Sequence, residues 1–295
     1  MSKTKTYTVR YYIPRVGADG KQGTIASLLD LIAQSPEKMG QIREAGSTVH
    51  QVRVHQVVSN QCYSAYFVRF RDELPLVGQR TSAVEHPPAL GPDDEVIEKN
   101  HFLLFVEDSG LEVISYQVSM EGSDVFALAR YFTHLSGGQH TVSFDEVVTP
   151  DALALLQGGV IKSVEYEIAR PRGRAYAPNP EDTWTRDSIN FMNSTGATRF
   201  KAKFLTRSKN TGLIANVKDQ IRLMLQSSQT KSLRVRVSDV DHPIDLFADR
   251  VFDRVTLDIN EGRPNSDQLF GEMIAAKRAC TGLAPYLATG DEALD

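Results

Sequence analysis

The sequence predicts an α+β fold of two lobes, built from mixed or antiparallel sheets with packed helices and joined by a hinge. Three observations lead there. Many segments alternate apolar and polar residues with the period of two that sends a strand's side chains to opposite faces. Amphipathic helical segments are interspersed among them without a strict β-α-β-α rhythm. A Pro-, Gly- and Arg-rich stretch, residues 171–180, divides the chain. At 295 residues the chain is long enough for two units, and 41% hydrophobic with 24% charged residues is an ordinary globular balance. The expected division is an N-terminal α+β lobe over 1–160, a basic α+β lobe over 161–248, and a C-terminal strand and helix over 249–295 that packs back on the first lobe.

Residues 7–13 read as the first strand. Residues 17–23 are a Gly-rich turn, and Thr24 can cap a helix to about residue 34, with Ile25, Leu28, Leu29 and Ile32 on one face. Residues 49–58 and 62–71 form a strand pair, and residues 72–92, which hold Pro75, Pro87, Pro88 and Pro92, a surface loop. A second strand pair, 95–106 and 111–118, turns at Asp108-Ser109-Gly110. Ser123 can cap a helix through Leu135, stopped by Gly137-Gly138. A strand over 141–148 and a short helix over 150–157 follow. The basic region then reads strand 161–169, helix 182–193, strand 198–206, helix 213–225 and strand 233–237. Residues 249–259 alternate as a strand, and Ser266 opens a helix carrying Leu269, Phe270, Met273 and Ile274.

Charge is unevenly distributed. Between Lys162 and Arg236 stand fifteen Lys and Arg against six Asp and Glu, a local excess of nine positive charges in a chain whose net charge is −4. In Arg199-Phe200-Lys201-Ala202-Lys203-Phe204 the cations lie two apart, so a strand would place all three on one face and the apolar residues on the other. Leu233-Arg234-Val235-Arg236-Val237 repeats the pattern. Solvation alone does not require one sign, and the excess points to a polyanion such as nucleic acid, held by Arg170, Arg172, Arg174, Arg199, Lys201, Lys203, Arg207, Lys209, Arg234 and Arg236. Tyr176 and Trp184 flank the basic loop and could stack on bases, although a single Trp more often plugs a core.

Catalytic motifs do not survive inspection. The turn at 17–23 lacks the glycine and lysine spacing of a phosphate loop, no Gly-x-Ser-x-Gly elbow is present, and no dinucleotide fingerprint follows a strand. His50, His55, His86, His101, His134, His140 and His242 show no ligand spacing, and His101, opening an apolar strand, reads as a hydrogen-bonded structural residue. Asp93-Asp94-Glu95 reads as a solvated turn. Glu165 and Glu167 share a strand face, as a nuclease acid pair would, but the lysine that usually follows is missing and charge compensation explains them better. Cys62 and Cys280 are too few for a disulfide framework or zinc site. With no apolar leader or span, the chain reads as cytoplasmic, with no cofactor and no metal.

The order Asp93-Asp94-Glu95, His101-Phe-Leu-Leu-Phe-Val-Glu107, Asp108-Ser-Gly-Leu, a second strand, then Ser123-Asp-Val-Phe-Ala-Leu resembles the central part of the RexA family, DNA-binding components of a phage-exclusion system. The likeness runs through strand 141–148 to Ile-Lys-Ser-Val-Glu-Tyr-Glu-Ile-Ala-Arg at 161–170, about a quarter of the chain. It implies a homodimer of two lobes that binds DNA without sequence preference and signals, in antiviral defence by abortive infection, to a membrane effector encoded alongside. The DNA-binding subunit of another two-gene antiphage system, such as Kiwa, is a rival with the same broad activity. No residue roles carry over from the resemblance. Two other classes stay open: a divergent metal-dependent nuclease using Glu165 and Glu167, and a protein–protein adaptor whose basic face meets an acidic partner.

Overall fold

The structure, a computed structural model, describes residues 3–17, 23–45, 48–59, 61–71, 73–75, 77–78, 85–119, 122–138, 140–150, 152, 154, 158–171, 181–208, 211–213, 216–225, 227, 229–238, 243–247, 249–259 and 264–289. Among them six helices pack on an eight-stranded and a four-stranded sheet, both antiparallel throughout, as an α+β fold. None of these helices is long and apolar enough to cross a membrane.

The large sheet is assembled from β1 (Lys3–Gly17), β2 (Arg43–Ala45), β3 (Thr48–Ser59), β4 (Cys62–Phe70), β7 (Ile97–Val106), β8 (Glu112–Val118), β9 (Thr141–Glu146) and β14 (Phe252–Ile259). Within the long loop, β5 (Val77–Gly78) and β6 (Glu85–His86) make a small separate ladder. The sheet order is β14-β1-β8-β7-β4-β3-β2, with β9 also on β1. Alternation along the strands supplies two apolar faces. Tyr12, Phe67, Phe102, Leu104, Ile114, Tyr116 and Phe144 look toward α1 (Ile25–Ala33) and α2 (Val125–Leu135). Tyr7, Val9, Leu103, Val255 and Leu257 on the other face are covered by Leu269, Phe270 and Met273 of α5 (Ser266–Ala279).

Local chemistry fixes the helix ends. Thr24 caps α1 by accepting from the Ser27 amide. At the same end the buried Glu112 carboxylate accepts from the amides of Ile25 at 2.8 Å and Ala26 at 2.7 Å. Burial pushes that carboxyl's pKa up and the two amides pull it back. α2 is capped by Asp124, not by Ser123 as the sequence suggests: Asp124 Oδ1 accepts from Ala127 N at 2.7 Å. Ser123 is used elsewhere, its hydroxyl donating to His50 Nε2 at 2.7 Å. Gly137 and Gly138, with φ of 67° and 76°, end the helix in the left-handed region that favours glycine.

β9 and β14 determine where the small sheet hangs. Tyr12 of β1 pairs Ile114 of β8 on one side and Glu146 of β9 on the other, while Thr8, Val9 and Arg10 pair β8 and β14 in the same way. β9 and β14 therefore run end to end along one edge of β1. Where they meet, Val148 bridges Arg250, and Val251 N donates to the Val147 carbonyl at 2.8 Å. The chain leaves the large sheet at this point, builds the four-stranded sheet, and returns to the same point. The seam is tied by a buried Arg250–Glu146 ion pair with the Arg250 guanidinium 3.7 Å over the Phe247 ring, and by an Arg15–Asp145 pair at 3.0 Å. The Tyr286 hydroxyl of α6 (Ala284–Thr289) donates to the Val148 carbonyl at 3.3 Å.

The small sheet contains β10 (Ile161–Ala169), β11 (Arg199–Leu205), β12 (Thr230–Val237) and β13 (Ile244–Asp245) in the order β11-β10-β12-β13. Its inner face, with Val164, Tyr166, Ile168, Leu233, Val235 and Val237, is covered by α3 (Thr183–Thr195) and α4 (Val217–Leu225). One continuous core runs from these residues through Val217, Ile221 and Met224 to Tyr11, Ile13 and Val113 of the large sheet. The inner face is thereby anchored, and the outer face is left to water. Of the expected helix over 150–157, residues 150, 152 and 154 are described and helical, while the hinge over 171–180 lies outside the described residues except for Pro171.

Candidate nucleic-acid interface

β10 and β11 pair in unbroken register, and the register decides what the outer face carries. Glu167 lies opposite Lys201, Glu165 opposite Lys203, and Ala169 opposite Arg199. On the other flank Glu165 lies opposite Arg234 of β12, and Arg234 opposite Asp245 of β13. Five of the ten cations the sequence singled out, Arg199, Lys201, Lys203, Arg234 and Arg236, come together on this exposed face. Arg170 and Arg207 are exposed just beyond the ends of β10 and β11. Arg172, Arg174 and Lys209 lie outside the described residues, as does Tyr176.

The cations are not bare. Arg199 Nη1 pairs with Glu167 Oε1 at 2.8 Å, and Lys201 and Lys203 share Glu165 at 2.7 and 3.4 Å. Arg234 Nε pairs with Asp245 Oδ2 at 3.0 Å. Hydrogen bonding to Lys201, ahead of that to Lys203, holds the Glu165 carboxyl below the usual carboxylate range. Five cations against three carboxylates still leave the face positive. Among the described residues no ion pair is seen for Arg170, Arg207 or Arg236. Glu165 and Glu167 thus serve as counter-charges to lysine and arginine. Among the described residues no group of three His, Cys, Asp or Glu is placed to hold a metal ion.

The reverse side of β11 is aromatic. Tyr166 of β10 stacks on Trp184 of α3 at 5.6 Å between centroids, and Trp184 contacts Phe204 at 5.0 Å. Trp184 is a packed, half-buried plug and not an exposed base platform. On this side, among the described residues, Phe204 and Phe191 are exposed, at 42% and 55%, and Phe191 meets the half-buried Phe200 at 5.4 Å. The sequence reading missed both phenylalanines. Phe204 carried a signal, since it ends the alternating run at the strand's last turns. Phe191 carried none, because its place on the outer side of α3 follows only from how that helix packs.

The other chemistry-bearing residues are tied into structure. Both ring nitrogens of His101 are engaged: Nδ1 donates to Gln117 Oε1 at 2.6 Å, and Nε2 accepts from Ser266 Oγ at 3.0 Å. Burial lowers its pKa to about 4, so the ring is neutral near pH 7. His50 is lowered to about 4 for the same reason. Asp93, Asp94 and Glu95 are exposed, and Asp94 Oδ2 accepts from the Gly91 amide at 2.8 Å, an ordinary loop closure. Cys62 and Cys280 are free thiols, both pushed up in pKa by burial. Compared with known proteins, the chain matches no family model and no curated relative.

Proposed function

We propose that the outer face of the four-stranded sheet binds nucleic-acid phosphates without sequence preference, and that the protein is a non-enzymatic DNA-binding component of a phage-defence system acting with a membrane effector. One observation carries the binding part: the register of β10, β11 and β12 gathers Arg199, Lys201, Lys203, Arg234 and Arg236 on one solvent-facing surface in an acidic chain. The carboxylates between them do not prevent binding. An exposed ion pair is worth roughly 0–1 kcal/mol, and a phosphate can replace Glu165 or Glu167 as the partner while releasing condensed counterions. A flat strand face contacts backbone phosphates, whereas reading bases takes an element seated in the major groove. The defence role and dimeric state rest on the resemblance of residues 93–170 to the RexA family.

The test is duplex binding across a salt series with magnesium present, wild type against the Lys201→Glu/Lys203→Glu variant. Reversing both charges should weaken binding on all sequences alike and lower the log–log salt slope by about 2. Unchanged affinity removes the assignment, and cleavage of the DNA replaces it with a nuclease.

A further inference from the structure

β11 is the outermost strand of the small sheet, and among the described residues its outer edge has no partner strand. Its two sides differ in kind. Arg199, Lys201 and Lys203 rise on the outer face, while Phe204 sits on the opposite face with Phe200 and, from α3, Phe191. Leu205, which ends the strand on the cation face beyond Lys203, is 55% exposed. A sheet edge that ends in exposed aromatic rings on one side and a row of cations on the other is amphipathic across its own width.

We infer that this edge binds single-stranded nucleic acid in preference to duplex, with phosphates along the cation row and bases stacked on Phe204 and Phe191. The inference rests on the phosphate-binding role proposed above and specifies its ligand. A duplex turns its bases inward and offers nothing to the two rings. A single strand exposes π-faces beside its phosphates, and the pairing of a basic track with aromatic platforms is how sequence-tolerant single-strand binding is generally achieved. The spacing is compatible: alternate residues of β11 stand about 6.8 Å apart, and a single strand can stretch beyond the 3.4 Å rise that stacking imposes in a helix. Phe191 and Phe204 already hold their partners Phe200 and Trp184 on their inner sides, so the rings are positioned before ligand arrives.

The chain contains one Trp, and Trp184 lies 5.0 Å from Phe204, so its fluorescence reports on this edge. The experiment titrates wild type, Phe204→Leu, Phe191→Ala and Lys201→Glu/Lys203→Glu with three probes of equal length: oligothymidylate, an abasic oligomer, and a duplex. Oligouridylate is added to distinguish RNA from DNA. Phe204→Leu preserves an apolar side chain against Trp184 while removing the π-face, and circular dichroism checks each fold. The expected result is oligothymidylate binding weakened on the order of tenfold by Phe204→Leu, with abasic and duplex binding unchanged. Wild type should also hold oligothymidylate more tightly than the abasic oligomer. Equal binding of base-bearing and abasic strands, or an equal loss on all probes in Phe204→Leu, overturns the stacking inference. If in that case the double lysine reversal still weakens every probe, the phosphate-binding role stands without it. If the reversal changes nothing, the role itself fails.

Discussion

Lowering the pH from 7.5 to 5 should destabilise the fold, and His101 contributes an amount that can be calculated. Burial among Gln117, Ser266, Lys99, His55 and Tyr66 lowers its pKa from 6.5 to about 4. The unfolded chain then takes up a proton near pH 6.5 that the folded chain refuses until about pH 4. Stability from this residue is therefore complete above pH 6.5 and erodes as the pH falls toward 4. Integrating the proton-uptake difference down to pH 5 gives a loss of about 2 kcal/mol, against a typical total of about 5–15 kcal/mol. His50 acts with the same sign. Glu112 and Asp182, whose carboxyls are raised by burial, act with the opposite sign. The His101 share is isolated by measuring urea unfolding at both pH values for wild type and His101→Asn. The variant should be less stable at pH 7.5, yet lose about 2 kcal/mol less than wild type on going to pH 5. An identical pH-dependent loss in both proteins would refute the reasoning, because it would mean that the ring titrates alike folded and unfolded.

Further tests address the site and the scaffold. Glu165→Gln with Glu167→Gln should raise polyanion affinity roughly three- to tenfold at low salt, since two screened negative charges leave the cation row; electrophoretic mobility shifts measure it, and a nuclease would instead lose cleavage. Glu112→Ala should cost about 2–4 kcal/mol in thermal or urea unfolding, because the buried amide of Ile25 and the part-buried amide of Ala26 lose their acceptor.

Much of the fold was legible because its signals are local. Period-two alternation located β10, β11 and β12 to within three residues at either end, and Thr24 and Gly137 mark helix ends through side-chain and backbone chemistry that needs no partner. The sequence pattern places the cap of α2 one residue early: Ser123 is expected, Asp124 does the capping, and the serine hydroxyl instead meets His50, seventy-three residues away, a partner that no local pattern reveals. The short strands β2, β5, β6 and β13 exist through their pairing partners and leave little pattern of their own. The cation row was equally local. So was the compensating role of Glu165 and Glu167, but which cation each one meets was not, because that depends on a register that only the folded sheet establishes.

That register changes what the charge excess means. Counted along the sequence, the region from Lys162 to Arg236 is strongly basic; counted on the outer face, three carboxylates sit among five cations. A row of unpaired lysines would attract any polyanion and would repel itself within the sheet. Interleaving Glu165 and Glu167 removes that self-repulsion, and the exposed pairs cost a competing phosphate little. On the proposed role, such a face would discriminate by density of charge: a single carboxylate would gain nothing by exchanging with Glu165, while a chain of phosphates would replace several carboxylates at once and release a counterion for each. Because the inner face is anchored through α4 to Tyr11 and Val113, such an exchange would proceed on the outer side with the core undisturbed.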